Sequence, residues 1–183
     1  MIQTDRDARL YFSQSIEGAL QRHKVEVSPE TEVYLTEMLT HFCEDFGAFE
    51  DTWLTPITFQ YQHLIEETNR LQQRQKQQEL GDHCLFLVGY FYPFVAKSGK
   101  GQVQYHLDMG AQAYQQAGSK PYPELAQKFD ELYLVIGDLH LPELDEIKVL
   151  QIYEKWLQSG DKYYESLLLG KGIIPQRAKG SKN

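Results

Sequence analysis

No stretch of this chain comes near the roughly twenty consecutive apolar residues that a membrane-spanning helix needs. The longest greasy run, Cys84 to Val95, has 12 residues, a length that belongs in a protein interior. Cysteine is also scarce, with only Cys43 and Cys84 among 183 residues. Each falls inside an apolar helical pattern, the setting of a buried reduced thiol. A disulfide between them is open but nothing requires it, and a reducing compartment fits better. The opening MIQTDRDARLYF carries acids early and no apolar core, so it does not read as a secretion signal. Basic charge is thin: 18 Lys and Arg stand against 26 Asp and Glu, for a net −8. Four of those bases, Lys171, Arg177, Lys179 and Lys182, lie in a last segment without acids, which leaves the body at −12. Such a body repels phosphate and makes duplex nucleic acid a poor partner. The apolar/polar alternation of half-buried strands is nearly missing as well.

What is present is helical spacing. Phe12, Ile16, Ala19 and Leu20 line one face of a first helix, and VEV (25–27) reads as a short extended connector. Ser28-Pro29 starts the second helix, a capping hydroxyl followed by proline at the first position. Its stripe is Leu35, Met38, Leu39, Phe42 and Phe46, and Gly47 ends it. Phe49 and Trp53 sit in a loop, and Pro56 opens a third helix whose stripe ends at Leu71. The glutamine-rich 72–79 continues that helix in solvent, because glutamine favours helix without apolar surface. Gly81 is expected to interrupt it, with Asp82 capping the next helix. That helix, 83–92, is apolar on every side and must be surrounded; Pro93 stops it near Tyr92. Gly89 permits a close neighbour, for which the small-residue face of the following helix, Gly110 to Ala113, is the natural candidate. Leu125, Phe129, Leu132, Ile136 and Leu139 mark a helix entered at Pro123. Pro142 opens another that buries Leu150, Tyr153, Trp156 and Leu157. The expected architecture is an all-α compact bundle of about eight helices around a central buried helix (residues 83–92). It forms a single helical domain over 1–175, with a flexible basic tail over 176–183.

Two H-x-x-E pairs, His41 with Glu44 and His63 with Glu66, have the spacing by which helical bundles hold metals. The helical wheel turns Glu44 away from the buried stripe and leaves His41 at its flank, so both pairs are weak ligand candidates. Asp82 and His83, at the mouth of the central helix, and His106 on the next could form a small polar site beneath Tyr90, Tyr105 and Tyr114. The simpler account makes Asp82 a cap, His106 a hydrogen-bonded core-edge residue and the tyrosines packing groups with wet hydroxyls. There is no G-x-S-x-G, and SGKG lacks the spacing of a phosphate-cradling loop. Cys84 lies too deep in the apolar run to act as a thiolate.

The segments LGDHCLFLVGYF (80–91), YHLDMGAQAY (105–114) and IYEKWLQSG (152–160) resemble a widespread group of bacterial helical proteins of unassigned function. Its pattern is L-G-D-x-x-L-F-x-x-G-x-F, then Y-x-x-x-G-x-x-A-Y, then L-Y-x-x-W-L-x-x-G. The first is met at Leu80, Gly81, Asp82, Leu85, Phe86, Gly89 and Phe91. In the second, Gly110, Ala113 and Tyr114 match, but His106 stands where the pattern has tyrosine and Tyr105 falls one residue early. In the third, Ile152 replaces leucine. The resemblance spans roughly the last two thirds of the chain. It implies a bacterial, cytosolic, all-helical protein and brings no reaction, cofactor or catalytic residue.

The reading that follows is a cytoplasmic, non-enzymatic helical module that binds another protein or self-associates, without cofactor, nucleic acid or membrane. The alternative is a small-ligand or metal-binding helical protein, oxidase-like in its His and carboxylate content. A third reading has the basic tail touching nucleic acid.

Overall fold

The computed structural model describes residues 2–45 and 69–177. Their order is α1 (Ile2–His23), α2 (Pro29–Asp45), α3 (Arg70–Tyr90), α4 (Tyr92–Lys97), α5 (Lys100–Ala117), α6 (Tyr122–Gln127), α7 (Phe129–Gly137), a 3-10 turn (Asp138–Glu143), α8 (Glu146–Ser159) and α9 (Lys162–Gly170). No strand occurs among the described residues, so the all-α expectation holds. Among these residues, too, no helix is long and apolar enough to cross a membrane.

The hub is the C-terminal half of α3. Leu80, Cys84, Leu85, Phe86 and Val88 are buried, and α3 packs chiefly on α5 and α7. Burial around most of its circumference, with the side of His83, Leu87 and Tyr90 half-buried, explains why this stretch has no polar face. The first half of the same helix is the exposed glutamine-rich run, where Leu71, expected in a stripe, faces solvent. Asn69 caps α3, its side chain accepting from the Leu71 amide at 3.0 Å.

The helix does not break at Gly81. It runs unbroken through Gly81 and Asp82, because the glycine serves packing: a Cβ there would stand 2.6 Å from the Tyr114 ring. Asp82 is therefore no cap. Gly89 likewise meets α7, with Ile136 2.6 Å from a would-be Cβ, rather than α5. The glycine of α5, Gly110, lies instead against Cys84 and the ring of Phe129. α3 ends at Tyr90, and Pro93 sits in the first turn of α4, where its missing N–H costs nothing.

Ser28 caps α2 as the sequence predicts, its hydroxyl accepting from the Thr31 amide at 3.3 Å. Glu124 of α6 reinforces this end: one carboxylate oxygen accepts from the hydroxyls of Ser28 and Thr31, both at 2.5 Å. An anion at a helix N-terminus is favoured by the helix dipole. At the C-terminal end of α1, the buried Asp138 accepts from Arg22 at 2.6 Å.

The helix expected from Leu125 to Leu139 is divided into α6, α7 and the 3-10 turn, with its stripe buried throughout. Pro142 lies inside that turn, and Asp145 opens α8, its carboxylate accepting from the Lys148 amide at 2.8 Å. Only Trp156 of the expected stripe is fully buried; Leu150 is 60% and Leu157 43% exposed. Cys43 is exposed rather than buried, since it lies beyond the edge of the α2 stripe. Gln176 and Arg177, expected in the tail, lie against α8: the Tyr153 hydroxyl donates to the Gln176 carbonyl at 3.0 Å, and Arg177 stacks 5.5 Å over Trp156.

Candidate functional site

Asp82 projects from the middle of α3 toward α2 and α5. Tyr34 and Tyr114 both donate to the same carboxylate oxygen, each at 2.6 Å. Tyr122 of α6 closes the group, donating to Gln78 at 2.8 Å and stacking 6.2 Å from Tyr114. Burial raises the Asp82 carboxyl to about 6, although the hydroxyls of Tyr114 and Tyr34 pull the other way. The same burial, with the Asp82 charge, raises both Tyr34 and Tyr114. The cluster is a tied carboxylate shared by helices α2, α3 and α5, with α6 alongside.

Of the six residues expected to share a polar site, only Asp82 and Tyr114 bond to each other. His83 turns toward α5, where burial lowers its imidazole to about 4 and the nearby His106 adds to the effect. His106 itself is fixed by the Gln102 carbonyl, 2.7 Å from Nδ1. Tyr105 lies nine residues before Tyr114 on α5 and is exposed. Tyr90 lies two turns beyond Asp82, its ring 4.1 Å from His140, whose Nε2 is 3.1 Å from the Tyr90 carbonyl. Tyr34 and Tyr122 were not anticipated, because they come from distant places in the sequence and only the fold gathers them; Gln78, one turn before Asp82 on the same helix, was within reach of helical spacing but belongs to the run expected to face solvent.

His41 is exposed on α2. His63 and Glu66 lie outside the described residues, as does the side chain of Glu44. Among the described residues no group of three or more His, Cys, Asp or Glu could hold a metal. The Cys84 thiol is fully buried and pushed well up from its ordinary range, which leaves it unreactive.

Two clefts lie elsewhere, on either side of α4. One cleft of about 590 Å³ is bounded by α4, α5, α7 and the α8–α9 corner, with Tyr92, Tyr133 and Tyr164 in its wall. A second, of about 470 Å³, lies between α4, the 3-10 turn, α8 and α9, and includes Tyr90, His140 and Tyr163. Both sizes fall in the range of small-molecule sites. Pro93, Lys97, Lys155 and Tyr164 line both. The tyrosines are locked in layers: Tyr92 stacks on Tyr163 at 4.1 Å with 6° between planes, and lies nearly parallel to Tyr133 at 6.2 Å. Sequence reading missed these clefts because their walls come from five elements; the only signal was the number of tyrosines.

No family model matches the chain, and no curated protein or solved structure is significantly similar to it.

Proposed function

We propose that the chain is a non-enzymatic interaction module that associates with a second copy of itself through the outer face of α8. The observation that carries this reading is the exposure of Ile147, Leu150 and Leu157, at 70%, 60% and 43%. Leu150 and Leu157 are seven residues apart and so share one side of the helix, with Ile147 flanking them, while Trp156 points inward. Leu169 and Ile174, near the C-terminal end of the described chain, are exposed as well. Clustered exposed apolar side chains of this kind mark association surfaces.

The exposed bases of α8, Lys148 and Lys155, lie on the opposite side of the helix from Leu150 and Leu157, whereas Glu146 and Glu154 flank the apolar face. Burial of Leu150 and Leu157, rather than charge, is therefore what would hold two copies together. The residues behind the bacterial-family resemblance support a non-catalytic reading too. Gly81, Gly89 and Gly110 admit neighbouring side chains, Trp156 is buried, and Gly160 ends α8 at φ 67°. Each has a packing task, and under this reading the motif is a signature of the fold. Two free thiols suit a cytoplasmic setting.

Sedimentation equilibrium across a wide range of protein concentration tests the proposal. The wild-type chain is expected to shift from monomer toward dimer as concentration rises. The Leu150→Glu/Leu157→Glu double variant should remain monomeric, with each exposed substitution changing stability by no more than about 0.5 kcal/mol. A wild-type chain that stays monomeric throughout overturns the self-association reading, and capture of a different protein by the same face would replace the second copy with that partner.

A further inference from the structure

We infer that the cleft bounded by α4, α5, α7 and the α8–α9 corner binds a small organic anion with a flat apolar body, of the aromatic carboxylate or phosphate type. Three features of the cleft converge on this ligand class.

The first is charge. Lys97, Lys155 and Lys162 line the cleft against one carboxylate, Asp161, in a chain with an overall excess of eight acids. A local +2 on such a background is the reverse of what the composition supplies. Among the described residues, neither Lys97 nor Lys155 is in an ion pair. Asp161 is already engaged, its carboxylate hydrogen-bonded with the Tyr92 hydroxyl and its backbone amide donating to the Ser159 hydroxyl at 3.1 Å. The free cations are therefore the groups left to meet a ligand.

The second is the wall. Tyr92, Tyr133 and Tyr164 present aromatic surface beside Val103 and Leu107. The stack of Tyr92 on Tyr163 and the edge contact of Tyr92 with Tyr164 at 5.7 Å hold those rings without a ligand. Rigid aromatic walls lose little entropy on binding and favour flat apolar bodies. Burial raises Tyr92, Tyr133 and Tyr164 from their ordinary range, with Asp161 adding to the shift in each. At neutral pH these phenols stay protonated; the Tyr92 hydroxyl is taken by Asp161, which leaves those of Tyr133 and Tyr164 to donate to an anion.

The third is placement. The Lys155 ammonium lies 5.6 Å over the Tyr164 ring, a cation–π contact that keeps it at the cleft. On α8, Lys155 lies on the opposite edge of the buried face from Leu150 and Leu157, so the cleft stays open when that outer face is covered. This inference is independent of self-association: a monomer can bind the anion, and a dimer can lack the site.

The test uses the full chain and three naphthalene probes of one shape: 2-naphthoate, 2-naphthyl phosphate and the neutral 2-naphthamide. Binding is measured by calorimetry at low salt, and the site is located by amide chemical-shift changes. At least one anion is expected to saturate the protein about tenfold or more tightly than the amide, with the largest shifts at Tyr92, Tyr133 and Tyr164. The carboxylate and phosphate arms identify the preferred headgroup. Lys97→Gln/Lys155→Gln should weaken the anion about tenfold while leaving the thermal melt in place, since both lysines lie at the surface. Added salt should weaken it as well. Equal binding of amide and anion, no saturable binding, or an unchanged affinity in the lysine variant overturns the inference.

Discussion

Phe86→Ala is expected to lower the unfolding free energy by about 3–5 kcal/mol, the range for deleting a buried aromatic side chain. Phe86 is 2% exposed and joins α2 to α3. It stacks on Phe42 at 4.5 Å and on Tyr90 at 5.2 Å, and meets Phe91 edge-on at 5.6 Å. Alanine would remove the transfer free energy of the ring and leave a cavity between α2 and α3 that the packed core cannot easily close. Against a typical total of about 5–15 kcal/mol, the loss would be visible in urea or guanidinium unfolding. Phe94→Ala is the control: Phe94 is 61% exposed on α4 and should change stability by less than about 0.5 kcal/mol. A Phe86 variant as stable as the Phe94 variant would mean that the hub of α3 is not enclosed.

The hub was legible because an all-round apolar run without strand alternation can satisfy itself only inside a helical bundle. Ser28-Pro29 was legible because capping is local chemistry. What failed was any inference that took a local signal without its neighbour. Gly81 looks like a helix stop until Tyr114 is seen lying against its α-carbon. Asp82 looks like a cap until Tyr34 and Tyr114 are seen to reach it from 48 and 32 residues away. Pro142 looks like a first helical residue, but the 3-10 turn absorbs it and Asp145 provides the cap. The α8 stripe misled in a different way. Spacing shows that Leu150 and Leu157 share a face with other apolar residues, but not whether anything packs there. A periodic pattern reports an apolar side of a helix, and that side can serve the core or an association surface equally well. The lysine–tyrosine cleft was out of reach altogether, since Lys97, Tyr133 and Lys155 belong to separate elements with unremarkable local sequence.

Asp82→Asn and His83→Gln are expected to give opposite dependences of stability on pH, although the two residues are adjacent. Burial raises Asp82 to about 6 in the folded chain from an ordinary 3.8. The folded state therefore holds that proton more tightly than the unfolded state. The associated stability is complete below about pH 4 and is lost as pH rises through 6. Burial lowers His83 from 6.5 to about 4, so the folded state resists its proton. That stability is complete above about pH 6.5 and is lost as pH falls toward 4. Each shift exceeds two units, and a unit is worth about 1.4 kcal/mol; allowing for partial exposure, each slope should amount to roughly 2 kcal/mol across the window. In the wild type they oppose one another between pH 4 and 6.5. Asp82→Asn leaves the histidine slope and should lose stability steeply as pH falls. His83→Gln leaves the aspartate slope and should gain stability over the same range. Other titrating groups, including His23, whose imidazole burial also lowers, are common to all three proteins and drop out of the differences. Urea unfolding at half-unit steps from pH 4 to 7 measures those differences directly. A difference between wild type and Asp82→Asn that stays level would show that the two phenol hydrogen bonds offset burial in full. A difference that grows in favour of the wild type as pH rises would show that they outweigh it, and that Asp82 is held as a stabilising anion joining α2, α3 and α5.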